Sequence, residues 1–298
     1  MNPPKKHHYV PQFFLKPWLT NGMLSCYIIK EDKTFKSPTR KTALENNLYM
    51  FDGDEIESQF LSPFIDNLLD NDVIKVRNKS WKDLSSRTKS NFFKFLVLLD
   101  ARNPQSLKSI SSGYEEIKNK VELTKIEDGF EDLINNEHYV FLCIAIHELN
   151  LKVKKPLPEE NNVFKTSLYN MYMKISRLID DNELFPSFQS ILMKKNLHCL
   201  EINIERDRFV TSTVPVRKMG NYNGSYLTNV NISPRKSLIF SNNIDYINKF
   251  VDLTTEQKIN EINYFNINKM PNSFQPERII LPSDIELSYV KNMLKRKA

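Results

Sequence analysis

Residues 197–216 read LHCLEINIERDRFVTSTVPV. Leu200, Ile202 and Ile204 alternate with Glu201, Asn203 and Glu205, the run breaks at ERDR, and apolar residues resume at Phe209. A two-residue period belongs to a strand and the charged break to a turn. The residues before this stretch carry a helical period instead. The change of period predicts an α+β chain, with strands and helices in separate stretches. It divides the sequence into a β-rich segment 1–54, a helical segment 55–196 and a mixed segment 197–298, expected to form a single domain over 1–298.

Downstream, SYLTNVNISPRKSLIFSN supplies two more strand-like runs. A helix from about Thr255 to Met270, a short RIILP strand and a terminal helix near 284–296 follow. Upstream, residues 105–126, 130–151 and 160–182 read as three helices, separated by Gly129 and KKPLPEE. SSRTKSNFFKFLVLLDARNP predicts a helix that stops before Pro104, because proline disfavours helical geometry in the residue it follows. Ile56, Phe60, Phe64, Leu68 and Leu69 share one face of a predicted helix ending near Asp72. GMLSCYIIKEDKTFKSPTR reads as a hairpin and NNLYMFDGD as a short strand with a turn. The expected architecture is a predominantly helical middle, with short strands and hairpins near the N-terminus and in the C-terminal third.

The chain of 298 residues is 40% hydrophobic and 26% charged, which is the composition of a folded protein. Its net charge of +6 equals the contribution of Lys5, Lys6, Lys291, Lys295, Arg296 and Lys297, so the remaining body is neutral. Nucleic acid is therefore an expected partner through the basic ends, where attraction to phosphate falls with salt. No apolar run approaches the ~20 residues of a membrane span, and MNPPKKHH lacks the apolar core of a signal peptide. No membrane partner is expected. Cys26, Cys143 and Cys199 are few and odd in number, which argues against a disulfide framework and for a reducing cytoplasm. With six glycines there is no GxGxxG, Walker A or G-x-S-x-G element. No arginine is followed within seven residues by a histidine, which removes the Arg-x4–6-His ribonuclease pattern.

KKHHYVPQFFLKPW, residues 5–18, concentrates two histidines, two prolines and the four aromatic rings of Tyr9, Phe13, Phe14 and Trp18. In an extended segment His7 and Tyr9 share one face, and His8 and Val10 the other. One imidazole is then a candidate general base or phosphate contact, while the rings either anchor the segment or support the base. The histidine strand also resembles the first strand of HNH-type nucleases, but no histidine stands between His8 and His138 to complete that metal site. Cys143 and His147 lie four apart on a predicted helix, and His198 and Cys199 begin a strand. These are zinc-type ligands without a zinc-type spacing.

HHYVPQFFLKPW resembles the opening of the DUF4238 family, whose members begin His-His-Tyr-Val-Pro-Gln-Phe-Tyr-Leu. His7 to Phe13 and Leu15 match, with Phe14 where tyrosine is usual. NNLYMFDGDEIESQF is similar to the family's strand and acidic helix, and places its glutamate on Glu57. LLDARNP resembles a helix ending in Arg-Thr-Pro and places the arginine on Arg102. RFVTSTVPV and VNISPRKSLIF resemble two later segments, with Thr213 where an aspartate is usual. The motif and the matched positions together make His7, His8, Gln12, Glu57 and Arg102 the catalytic candidates. Tyr9, Asn103, Ser212, Lys5 and Lys6 are substrate-binding candidates. No metal ligand set is assigned, and a divalent metal such as Mg2+ is a candidate cofactor. The expected function is a nucleic-acid-acting effector of bacteria or phage, a nuclease in antiviral defence. The alternative is a non-catalytic binding or sensor protein whose His-His motif is structural.

Overall fold

Asn21 and Gly22 take positive φ, 51° and 76°, and turn the chain so that Thr20 and Met23 exchange two backbone hydrogen bonds. Asparagine and glycine occupy that region at the least steric cost. The structure, a computed structural model, describes residues 6–46, 50–51, 54–55, 67–105, 197–222, 225–268 and 275–296. The first part of the chain holds β1 (Lys6–His8), α1 (Gln12–Leu15), β2 (Leu24–Ile28), β3 (Lys33–Ser37), β4 (Leu44–Asn46), β5 (Met50–Phe51) and β6 (Asp54–Glu55). Next come α2 (Asn67–Asn78) and α3 (Ser86–Ala101). The C-terminal part holds β7 (His198–Asn203), β8 (Thr211–Ser212), β9 (Val216–Tyr222), β10 (Ser225–Ser233) and β11 (Lys236–Ser241). The last elements are α4 (Ile244–Val251), α5 (Thr255–Ile267), β12 (Arg278–Leu281) and α6 (Leu287–Lys295).

Two compact units result. One comprises Met1–His7, Glu45–Leu68 and Phe93–Ile191, the other His8–Leu44, Leu69–Phe92 and Leu192–Ala298. The described part of the first includes the β5–β6 hairpin, with Met50 opposite Glu55, and the end of α3, where Phe93, Phe95, Leu96 and Leu99 are buried.

The second unit holds two four-stranded antiparallel sheets. In the order β7-β11-β10-β9, Val230 stands opposite Leu238 and Ile239 opposite Leu200. Both faces of this sheet are covered. Ile202, Leu227 and Ile239 pack with Ile247 and Phe250 of α4 and with Ile259 and Ile262 of α5. On the alternate face, Phe240 meets Trp81 and Phe92, with ring centroids 5.1 and 6.4 Å apart. All six residues of β11 are consequently buried. The other sheet, β3-β2-β12-β8, closes a core of Tyr27, Val210, Ile267, Ile279, Leu281 and Val290.

Polar side chains buried between these layers are tied to backbone. Asn263 Oδ1 accepts from Val210 N–H at 3.1 Å, and Asn231 Nδ2 donates to Val210 O at 2.7 Å. Asn266 Nδ2 donates to Asn229 Oδ1 at 2.6 Å. Arg217 donates to Phe265 O at 2.8 Å and to Asn268 O, closing the C-terminal end of α5. Lys236 Nζ reaches Val76 O at 2.9 Å, Lys79 O at 2.5 Å and Glu201 Oε1 at 3.0 Å. It thereby caps α2 and ties it to the sheet.

This architecture corrects the expectation of a predominantly helical fold. Among the described residues twelve strands, ten of them in three antiparallel sheets, accompany six α-helices. Nor are the C-terminal strands uniformly short, since β9 and β10 run for seven and nine residues. Buried Asn229, Asn231, Lys236 and Ser237 occupy positions where a half-buried strand would carry apolar residues, which hides their alternation. The helix expected to end near Asp72 runs to Asn78, and Asp54–Glu55 is a strand. The three helices expected within 105–182 lie outside the described residues. Asp72 is not on a solvated acidic face. It is buried and accepts from Asn91 at 2.6 Å, Lys75 at 2.9 Å and Thr88 at 3.1 Å. Burial pushes its carboxyl pKa up, but these three donors together outweigh that and hold it below the usual value.

Candidate functional site

The opening motif is extended only through β1 and then turns into α1. Tyr9 N–H donates to Ala43 O at 3.0 Å, and Phe14 N–H to Pro11 O at 3.1 Å. Along the strand Lys6 is exposed, His7 is buried and His8 is half-buried. Beyond it Tyr9, Val10, Phe14, Leu15 and Trp18 are all buried. The Phe14 and Trp18 rings lie 5.9 Å apart, and the indole Nε1–H donates to Phe209 O at 2.9 Å. The aromatic residues therefore fix the segment, in which His8 is half-buried as a residue and the Nε2 of its imidazole is buried.

The remaining candidates fall into separate environments. Gln12 is exposed, and its Oε1 accepts from Thr39 Oγ1 at 3.2 Å. Ser212 is buried, and its hydroxyl donates to Val214 O and accepts from Val214 N–H, so it serves the local turn. Thr213 accepts from Arg278 N–H at 3.3 Å beside β12. Arg102 and Asn103 are buried just beyond the end of α3, where the helix stops as Pro104 requires. Asn103 Oδ1 accepts from Gln105 N–H at 2.9 Å. A cation present only to complement a helix dipole stays solvated, whereas Arg102 has no exposed surface. Its burial is costly unless the guanidinium has a specific task.

His7, Arg102 and Asn103 belong to the first unit, and His8, Tyr9, Gln12 and Ser212 to the second. Lys5, Glu57, Cys143 and His147 lie outside the described residues. His198 and Cys199 are neighbours on β7, so their side chains leave opposite faces. Burial, the largest influence, pushes the Cys199 thiol well above its ordinary pKa and opposes the thiolate that a metal would need. Among the described residues no group of three or more His, Cys, Asp or Glu side chains is gathered for a metal ion.

Two open grooves flank α5. One, of about 670 Å³, is crossed by the paired Arg208 and Glu256; the other, of about 510 Å³, has Phe250, Leu253 and Phe265 along it. None of the described candidate residues lines either groove.

A family model described as a protein of unknown function, DUF4238, matches residues 6–270. The chain belongs to the DUF4238 family. No curated protein and no solved structure matches it. In this DUF4238 chain Lys291 and Lys295 are not part of a free tail, since they lie in α6, whose Val290 is buried. Lys291 pairs with Asp32 at 2.6 Å and Arg296 with Glu261 at 2.8 Å. Among the described residues no helix is long and apolar enough to cross a membrane.

Proposed function

We propose that this chain is a nucleic-acid-acting effector of the cytoplasm, a hydrolase of the phosphodiester backbone, with His8 as its general base. The supporting observation is the partial exposure of residue His8 on a segment whose neighbours His7, Tyr9 and Val10 are buried. A base needs both access to its proton and a rigid support, and imidazole titrates in the range that suits the task. His8 would take a proton from the attacking water as its oxygen bonds to phosphorus, while the P–O ester bond breaks and the leaving oxygen takes a proton from solvent. His7, buried and next to His8 in the chain, would act as a positioning residue. Antiviral defence is the setting in which such an activity would arrest the growth of an infected cell.

A second reading has its own support. The complete burial of His7, Phe14 and Trp18 is what a purely structural motif in a binding or sensor protein would show. Expression of wild type, His8→Ala and Arg102→Lys in bacteria separates the two, scoring growth and nucleic-acid integrity. The hydrolase reading expects degradation with wild type and at least a ~100-fold loss with His8→Ala, at a melting temperature close to wild type. Arg102→Lys keeps the charge but removes the two-pronged donor and is expected to lower activity strongly. Equal degradation by wild type and a folded His8→Ala would leave the structural reading.

A further inference from the structure

The six cations Lys75, Arg77, Lys79, Lys82, Arg87 and Lys89 fall within fifteen residues that contain one acid, Asp83. They span the end of α2, the 3-10 turn Trp81–Asp83 and the start of α3. Lys75, Lys79, Lys82 and Arg87 are exposed. Arg77 is turned inward, donating to Ile232 O at 2.9 Å. Lys75 pairs with Asp72 at 2.9 Å, whereas Lys79, Lys82 and Arg87 have no ion pair among the described residues. Asp72 is buried under its three donors, and Glu201 is taken up by Lys236, Asn203 and the Trp81 N–H. At the C-terminus, by contrast, Lys291 and Arg296 both face carboxylates. Lys79, Lys82 and Arg87 therefore form a run of exposed, unpaired cations at the α2–α3 connector.

The connector is also held in shape. The Trp81 ring packs edge-on against Phe92 and Phe240 at 5.9 and 5.1 Å, and the Lys89 ammonium sits 5.6 Å over it. Lys236 fixes the carbonyls of Val76 and Lys79 from beneath. Ser85 accepts from Thr88 N–H at 3.2 Å and caps α3. A rigid row of cations interspersed with small hydroxyl residues matches a row of phosphates. A membrane surface would call for several exposed apolar side chains beside the cations, and Ile74 is the one large hydrophobic exposed in this stretch.

We infer that the exposed face of the α2–α3 connector binds the phosphate backbone of nucleic acid without reading its sequence. This inference rests on the nucleic-acid reading above and names the surface that would hold the polymer. The test titrates a short fluorescent oligonucleotide, single-stranded and duplex, into the full chain across a range of salt. Lys79→Gln/Lys82→Gln/Arg87→Gln is compared with Lys30→Gln/Lys33→Gln/Lys36→Gln, which removes equal charge from an exposed hairpin. For duplex, the connector triple is expected to reduce the slope of log K against log salt by about three units, at ~0.9 per phosphate contact. The hairpin triple should keep the wild-type slope, and both should melt near wild type. An unchanged slope in the connector triple overturns the surface, as does an equal loss in the hairpin triple. So does a wild type that binds phosphatidylserine vesicles but no oligonucleotide. A wild type that binds through the connector yet never cleaves would leave the surface standing and remove the hydrolase.

Discussion

Trp18→Ala is expected to destabilise the protein by about 3–5 kcal/mol, the range for emptying a buried large aromatic site. Trp18 is 1% exposed and packs beside Phe14. Its indole nitrogen also supplies a hydrogen bond to Phe209 O, 191 positions away in sequence. Alanine removes the ring, opens a cavity beneath the opening motif and takes away that donor. Trp18→Phe separates the two effects, because it keeps most of the packing and removes only the donor. It should cost about 1–3 kcal/mol, the penalty for a buried carbonyl that loses its partner. Urea unfolding of the three proteins measures both steps. A Trp18→Ala midpoint equal to that of wild type would show that the motif is not anchored through this ring.

Removing the buried ammonium of Lys236 should have a comparable effect. Lys236→Met keeps much of the aliphatic stem but leaves Glu201 without its ion-pair partner, and the carbonyls of Val76 and Lys79 without that donor. Breaking such a buried pair costs about 3–5 kcal/mol. The pH dependence gives a second readout. In wild type burial pushes the Glu201 carboxyl up, yet the Trp81 N–H, Asn203 and Lys236 together hold its pKa below the ordinary carboxylate value. A folded-state pKa below the unfolded one contributes stability that is present above roughly pH 4.3 and is lost as pH falls through the folded value. Without Lys236 the folded-state pKa rises. Acid unfolding of Lys236→Met should therefore begin at higher pH than in wild type, and coincident acid profiles after correction for overall stability would contradict the pairing.

Local signals in the sequence made several elements legible. The β2–β3 hairpin, the helix before Pro104 and the α5 start at Thr254, with Gln257 completing its capping box, all follow from neighbours within a few residues. The face alternation of His7 and His8 was equally legible. Which imidazole lies inside was not, because two identical side chains carry no such information. The pairing of Tyr9 with Ala43 fixes it. β10 and β11 were underestimated because they are covered on both faces and bury Asn229, Asn231, Lys236 and Ser237, whose partners come from α2, α5 and the sheet itself. Arg102 read as a helix-end charge or a site residue, and only its burial separates a solvated cation from an enclosed one. The charge count concealed the connector. Net charge sums over the chain, whereas the ion pairs of Lys75, Lys291 and Arg296 set those cations apart from the unpaired Lys79, Lys82 and Arg87.

The central claim is that an anchored opening motif presents His8 to a phosphodiester. It is tested most directly by incubating purified wild type and His8→Ala with end-labelled RNA and DNA, with and without Mg2+, and resolving the products by length. The account predicts cleavage by wild type and at least a ~100-fold slower reaction by a fully folded His8→Ala. Product formed at the same rate by both proteins, or by neither, would contradict it.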